Sequence, residues 1–285
     1  MNSTIQSVTA AQRDHFTQQG YLIIEQLFQP DEVASLRDHF TQLRERGNQP
    51  GDETNVDPAH PDPLKRYPRL MMMHRWDKIA LGFLLDPRLR AALTALLQRE
   101  PLAVQTMLYF KPAGARGQAL HQDNYYLRVQ PGTCVAAWLA LDDCDEANGC
   151  LQVVPGTQDW PVLCSIPADV TQSFTDVTVP VPANMSATPM CMRAGDVLFF
   201  NGSLVHGSFP NTTNDRFRRS LIGHYIEGDV EQVGSWYHPV LRFDGSQADL
   251  DTSAGSIPCG VWVEKHGQVQ IEMSGIEVVD GETHE

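Results

Sequence analysis

Apolar residues follow a helical period in the N-terminal third of the chain and an alternating one after it. Val33, Leu36, Phe40 and Leu43 fall on one face, with Arg37, Asp38 and Arg44 elsewhere, so an amphipathic helix is predicted to open at Pro30-Asp31. A shorter helix is predicted over 9–19, stopped by Gly20 and followed by the strand-like run Tyr21-Leu22-Ile23-Ile24. A third helix is predicted over 86–98, with an Asp-Pro start and Leu89, Leu93, Leu96 and Leu97 as its apolar positions. Residues 47–68 are rich in Pro, Gly, Asp and Asn and read as a long irregular loop, of the kind that forms lids.

Short β-prone runs then occupy 104–110, 134–141, 150–154, 187–192, 197–200 and 219–226. Turn signals separate them, among them Lys111-Pro112-Ala113-Gly114, Asn148-Gly149, Pro155-Gly156 and Ala194-Gly195-Asp196. An N-terminal helical layer supporting many short strands predicts a mainly β fold with flanking helices, a jelly-roll or cupin-like barrel whose mouth encloses a ligand. No repeat is evident, and the whole chain, 1–285, is expected to form one domain.

Charge and cysteine content narrow the picture. A formal net charge of −14 argues against a nucleic-acid partner, whose phosphates would be repelled. No apolar run approaches the roughly 18 residues of a membrane span, and residues 1–14 lack a basic-then-apolar leader, so a cytoplasmic protein is expected. Six cysteines (Cys134, Cys144, Cys150, Cys164, Cys191 and Cys259) lack CxxC spacing and read as buried or free thiols of a reducing compartment rather than a disulfide or zinc framework.

The chemistry lies in His121-Gln122-Asp123 and in His206 of Leu204-Val205-His206-Gly207-Ser208. On a strand, residues i and i+2 share a face with Cα atoms roughly 6–7 Å apart, so His121 and Asp123 can converge on one ion. A second histidine from a distant strand completes a 2-His-1-carboxylate triad, typical of non-haem Fe(II) oxygenases. Oxygen activation there needs two further electrons, which a 2-oxo acid supplies by decarboxylation. Its far carboxylate needs a fixed cation, and arginine is the best bidentate partner. Phe217-Arg218-Arg219-Ser220-Leu221 offers two; alternation lets one face the barrel, and the pattern leaves open which.

Together with Ala137-Trp138-Leu139-Ala140-Leu141, Asn148-Gly149-Cys150-Leu151, Val154-Pro155-Gly156-Thr157, Gly195-Asp196, Asn211 and Arg218, these blocks resemble the phytanoyl-CoA dioxygenase family of Fe(II)- and 2-oxoglutarate-dependent oxygenases. The stretch from Phe16-Thr17-Gln18-Gln19-Gly20-Tyr21-Leu22 through Leu36 is similar to the family's opening helix-strand-helix, so the resemblance spans about 9–228. It implies a double-stranded β-helix with His121, Asp123 and His206 as iron ligands and Arg218 holding the distal carboxylate of 2-oxoglutarate, Arg219 being the fallback. It further implies that Met107 lines the co-substrate pocket, that Trp138 packs beside the co-substrate and that Gln105 presents an amide to it. A family lysine or histidine is expected near His74 or Lys78. Asn124, Tyr125 and Tyr126 are expected pocket walls, and residues 229–285 an extension closing on the barrel.

The implied cofactors are Fe(II), 2-oxoglutarate and O₂. The implied reaction is hydroxylation of a small-molecule substrate with release of succinate and CO₂, since Asp123 stands where halogenating relatives carry a small residue. Desaturation or epoxidation by the same chemistry, or a cupin-like metal binder without turnover, are the alternatives. A monomer or homodimer without membrane or nucleic-acid partners is expected.

Overall fold

The computed structural model describes residues 7–255 and 257–278. The expected extension at 229–285 therefore falls partly on 256 and 279–285, which lie outside the described residues, as do residues 1–6 of the expected single domain.

The helices begin where the sequence supplies their caps. Thr9 and Gln12 form a reciprocal capping box for α1 (Ala10–Gln19), which ends at Gly20 with φ 82°. The run β1 (Tyr21–Ile24) follows, then α2 (Pro30–Glu45), capped through Gln29 and Glu32. The loop beyond α2 holds the one-turn α3 (Pro63–Arg66) and leads to β2 (Leu70–Met71). Asp77 and Asp86 cap α4 (Lys78–Leu84) and α5 (Pro87–Leu97) with their side chains. The pattern did not predict α4, which is too short to show a helical period.

Strands follow: β3 (Pro101–Tyr109), β4 (Gln118–His121), the one-turn α6 (Asn124–Leu127), β5 (Cys134–Ala140) and β6 (Leu151–Val153). A small pair, β7 (Ile166–Pro167) and β8 (Val177–Thr178), precedes β9 (Thr188–Met190), β10 (Val197–Asn201), β11 (His206–Ser208) and β12 (Ser220–Glu227). The C-terminal part contributes β13 (Gln232–Val233), β14 (Asp251–Thr252) and a hairpin of β15 (Ile257–Lys265) and β16 (Gln268–Val278).

A six-stranded sheet runs β1-β10-β5-β12-β3-β2 and a four-stranded sheet runs β4-β11-β6-β9. Strand alternation divides the core between two layers. Val135, Ala137, Leu139, Val197, Phe199 and Leu221 face the helices, packing with Phe40, Leu89 and Leu93. Ala136, Trp138, Leu198, Phe200 and Ile222 face the other way and meet Leu151, Val153 and Met190 of the smaller sheet. The central strand β5 is thus buried on both faces, which is why it reads as a continuous apolar run. The result is the double-stranded β-helix architecture, with helices on the outer face of the larger sheet and the site between the sheets.

Two peripheral segments brace this barrel. The loop after α2 is tied down by the buried Arg44–Asp52 ion pair, by Asp62 on Arg116 and by Glu53 on Arg69. The β15–β16 hairpin docks on the segment after β6: Trp262 Nε1 donates to Pro180 O at 2.9 Å, and the Trp160 and Trp262 rings meet edge to face at 4.9 Å. Here the cysteine expectation is corrected. Cys164 and Cys259 form a disulfide with Cα atoms 4.9 Å apart, while Cys134, Cys144, Cys150 and Cys191 are free. The partners lie 95 residues apart and meet because Cys164 N donates to Gly260 O and Gly260 N to Val162 O, a pairing that cysteine spacing does not reveal.

Candidate active site

His121 ends β4 and His206 begins β11, and the two are direct partners across the antiparallel pair, with ring centroids 4.2 Å apart. Asp123 is not on the strand, contrary to the simplest reading of the HxD spacing. It occupies the N-cap position of α6 with helical backbone angles, and its side chain makes no capping hydrogen bond. The carboxylate turns instead to the histidines: Oδ1 lies 3.6 Å from Nε2 of His121 and 3.6 Å from Nε2 of His206. One ligand atom from each of the three residues fits within 4.8 Å.

The surroundings fix which atoms face the centre. His121 Nδ1 is 2.9 Å from Ala119 O and His206 Nδ1 is 3.0 Å from Leu204 O. A carbonyl only accepts, so both Nδ1 atoms carry the proton and both Nε2 atoms keep the lone pair, as at histidine metal ligands; that of His121 also lies 3.2 Å from the Gln118 amide nitrogen. Burial, reinforced by His121, lowers the His206 pKa from 6.5 to about 4, which keeps the ring neutral. Burial alone would raise the Asp123 pKa, but His206, then His121 and His224, outweigh it and hold the carboxylate well below its usual range. Two neutral imidazoles and one carboxylate, with their lone pairs converging, suit a divalent iron with open positions.

The sequence reading missed His224. It is buried on β12, and its Nε2 lies 3.1 Å from Asp123 Oδ2. That contact occupies one carboxylate oxygen and leaves Oδ1 for the centre. Arg218, Ser220, Ile222 and His224 alternate on one strand face, so the signal was the same period-2 count that places Arg218.

Of the two arginines, Arg218 faces the barrel interior and is buried. Its Nε donates to Gly149 O and its Nη1 to Ser220 Oγ, each at 2.9 Å, and its guanidinium carbon stands 5.3 Å from the Trp138 ring centre. It pairs with no carboxylate among the described residues. Asp142, whose charge reaches it, is bound instead by Arg219 through Nε and Nη2, each at 2.8 Å. Arg219 points to the helix layer, where its Nη1 donates to Thr41 Oγ1.

Met107, Ile222 and Trp138 are register partners across β3, β12 and β5, forming one row on the inner face. Gln105 is the register partner of His224, and its buried Nε2 has no hydrogen-bond partner. Tyr125 and Tyr126 line a small pocket beside His121, about 20 Å³ in volume and so little more than one water. Asn124 is turned away, accepting from Val129 N. His74 bonds Thr106, a residue that alternates out of the barrel, and Lys78 opens α4. From that part of the chain Arg69 reaches β3, where its Nη1 donates to Tyr109 Oη at 2.9 Å. A cleft of about 650 Å³ between α2, the following loop and Phe217 includes none of the triad.

Comparison with known proteins places this geometry. Phytanoyl-CoA dioxygenase of Arabidopsis thaliana is 28% identical over 257 residues, spanning 78% of this chain and 90% of that protein. The peroxisomal phytanoyl-CoA dioxygenase of Mus musculus is 27% identical over 243 residues, spanning 79% and 70%. Among solved structures, the 2-oxoglutarate complex of EvdO2 from Micromonospora carbonacea var. aurantiaca superposes with a TM-score of 0.61 at 23% identity, over 79% of this chain and 93% of that one. The carbocyclase SnoK of nogalamycin biosynthesis gives 0.63 at 19% identity, over 80% and 88%. These neighbours show the fold. The cytoplasmic expectation is corrected by the relatives, since the mouse, rat, cattle and human phytanoyl-CoA dioxygenases are peroxisomal proteins. An organelle address read by a receptor needs no apolar segment, so the lack of a membrane-crossing helix among the described residues does not identify the compartment. The pattern of the phytanoyl-CoA dioxygenase (PhyH) family matches residues 16–220, a span that holds both the helical layer and the histidine–carboxylate centre, and the chain belongs to that family.

Proposed function

We propose that this protein is an Fe(II)- and 2-oxoglutarate-dependent dioxygenase that hydroxylates an unactivated C–H bond of a small-molecule substrate. One observation supports the reading above others: a histidine–carboxylate cluster shares its barrel with a buried arginine that, among the described residues, pairs with no carboxylate. A plain metal binder has no need of that cation. His121, Asp123 and His206 would hold the iron. When bound, Fe(II) with O₂ and 2-oxoglutarate supplies the oxidising power, with succinate and CO₂ released.

The remaining roles belong to the chain. Arg218 fixes the distal carboxylate, Trp138 and Met107 wall the co-substrate, and Gln105 offers its unpaired amide to it. His224 fixes Asp123. Tyr125, Tyr126 and Leu163 border the approach past His121, where exclusion of water protects the reaction. Residues 9–228 carry this work within one domain, and the hairpin β15–β16 backs the segment that holds Leu163. Asp123 completes three protein ligands, which favours hydroxylation. The structural neighbours named as a carbocyclase and an epimerase make product analysis decisive.

The test is binding first, turnover second. Fe(II)-loaded protein without oxygen should bind 2-oxoglutarate, and with oxygen and substrate it should yield one succinate per hydroxylated product. Arg218→Met should lose about 2–4 kcal/mol, roughly 30- to 1000-fold in co-substrate affinity, and Arg219→Ala far less. A reversed ranking, or a wild-type protein that binds iron but no 2-oxoglutarate, overturns the reading. A product two mass units lighter means desaturation.

A further inference from the structure

Gln122 stands between His121 and Asp123 in the chain and is 1% exposed. Its Oε1 accepts from Leu163 N at 2.8 Å, and its Nε2 donates to Pro161 O at 3.1 Å and to Ser203 O at 2.8 Å. Both amide protons are thus engaged, and the acceptor as well. Ser203 lies shortly before His206, so one buried amide ties the turn between two of the ligands to the approach of the third.

The other end of these contacts is the disulfide. Cys164 directly follows Leu163; its N donates to Gly260 O at 2.9 Å, and Gly260 N donates to Val162 O at 2.7 Å. Residues 161–164 are therefore gripped from two sides, by Gln122 on one and by β15 on the other. Leu163 is fully buried between them and borders the pocket beside His121. Besides the Cys164–Cys259 bond, the contacts that seat the hairpin here are non-covalent, the Trp262 indole on Pro180 O and its edge on Trp160 among them.

The bond is open to exchange from one side. Cys164 is half-buried beside exposed Ser165, Ile166 and Pro167, whereas Cys259 is buried. A small thiolate can attack the sulfur of Cys164, forming a mixed disulfide and releasing Cys259 as a thiolate, which takes up a proton. A second small thiol then attacks the small-molecule sulfur of that mixed disulfide and frees the Cys164 thiol. Two small thiols become one disulfide, and the protein pair gains two electrons and two protons. Exchange with a small disulfide runs the same steps backwards.

Building on the dioxygenase reading of the metal site, we propose that Cys164–Cys259 is a reversible thiol–disulfide exchange site coupled through Gln122 to the metal centre. The closed bond keeps 161–164 where all three Gln122 hydrogen bonds are made, and so keeps His121, Asp123 and His206 preset for the metal. Opening it leaves the hairpin on its non-covalent contacts and loosens that grip. The coupling is reciprocal: the factor by which the disulfide raises metal affinity is the factor by which bound metal protects the disulfide from reduction.

The experiment uses Mn(II), which thiols bind weakly, with glutathione as the exchange partner and without oxygen. Oxidised protein should bind Mn(II) roughly 3- to 10-fold more tightly than protein reduced by glutathione, read from the electron spin resonance of the free ion. Saturating Mn(II) should lower the reduction potential of the pair by about 15–30 mV, because tenfold corresponds to about 30 mV. Alkylation of Cys164 and Cys259 in stepped glutathione buffers reads that shift. In metal-free protein, reduction should speed hydrogen exchange at the Leu163 amide, which donates to Gln122. Cys259→Ser should match the reduced form in every buffer, and Cys191→Ser, at an exposed free cysteine, should keep the wild-type difference. Gln122→Leu should bind Mn(II) weakly and equally in both states.

A merely structural disulfide leaves Mn(II) affinity the same in both states, and that result overturns the proposal. So does a pair that glutathione opens only in unfolded protein. A difference that persists in Gln122→Leu overturns the route through Gln122. Should either variant not fold, the wild-type affinity ratio and potential shift decide alone. Wild-type protein that binds Mn(II) in neither state refutes the dioxygenase reading, whereas unchanged Leu163 exchange on reduction refutes this inference by itself.

Discussion

Replacing His224 by leucine isolates the device that holds Asp123. The histidine donates from Nε2 to Asp123 Oδ2 at 3.1 Å, within a shell that leaves it 4% exposed, so no water replaces the lost donor readily. An unsatisfied buried oxygen costs about 1–3 kcal/mol, and deleting an outer partner of a metal ligand lowers metal affinity about 10- to 100-fold. The two estimates agree, because about 1.4 kcal/mol corresponds to each tenfold. The carboxylate is also held below its usual range partly by His224, so its loss lets protons compete with the metal at higher pH. Titration of the metal-free protein with Fe(II) or Co(II), followed by absorbance or calorimetry, should therefore show weaker binding and an acid limb moved upward in His224→Leu. His224→Gln, whose amide can still donate, should recover much of the loss. Binding as tight as wild type in the leucine variant, or tighter because the freed oxygen also coordinates, would refute the argument, as would glutamine performing no better than leucine.

Three shorter predictions concern other parts of the frame. Gly207→Ala should reduce iron content, measured by metal analysis, because a Cβ there would lie 2.7 Å from Gln118 O and push β11, with His206, away from β4. Asp52→Ala should lower unfolding free energy by about 3–5 kcal/mol in denaturant titration, since it strands the buried Arg44 charge. Burial, with Arg75 adding to it, lowers the His74 pKa from 6.5 to about 4. Below 6.5 the unfolded chain takes up a proton that the fold refuses, so its share of stability is lost as pH falls towards 4; the stability–pH slope in that window should be shallower in His74→Gln.

Much of this molecule was legible because burial imposes period. On β5, Val135, Ala137 and Leu139 alternate with Ala136, Trp138 and Ala140, and both sets are buried, so the strand shows as a run without polar relief. Asp86 before Pro87 announces α5 through a cap that the structure contains. Four-residue β4 carries no such signal, and its pairing with β11 rests on partners some 85 positions away. The Cys164–Cys259 bond and the docking of the β15–β16 hairpin were hidden for the same reason, since both depend on residues 160–181, some 80 to 100 positions earlier in the chain. Asp123 is the instructive case. Its spacing from His121 suggested one strand face, yet the strand ends first and the carboxylate reaches the two histidines from a helical turn, so the three groups meet by a geometry that the spacing did not suggest.

The adjacent arginines show what one structural fact adds. Arg218 and Arg219 are chemically identical and neighbours in sequence, yet one lies against Trp138 inside the barrel and the other binds Asp142 and Thr41 in the helix layer. Nothing in the dipeptide decides between them; the pleat does. Once Arg218 is known to point inward, the same count carries Ser220, Ile222 and His224 inward with it. Ser220 then accepts from Arg218, Ile222 pairs with both Met107 and Trp138, and His224 reaches Asp123. A single register therefore links Arg218, just before β12, to His224 further along it and through His224 to Asp123. A slip by one residue would turn Arg218, Ser220, Ile222 and His224 towards the helices at once.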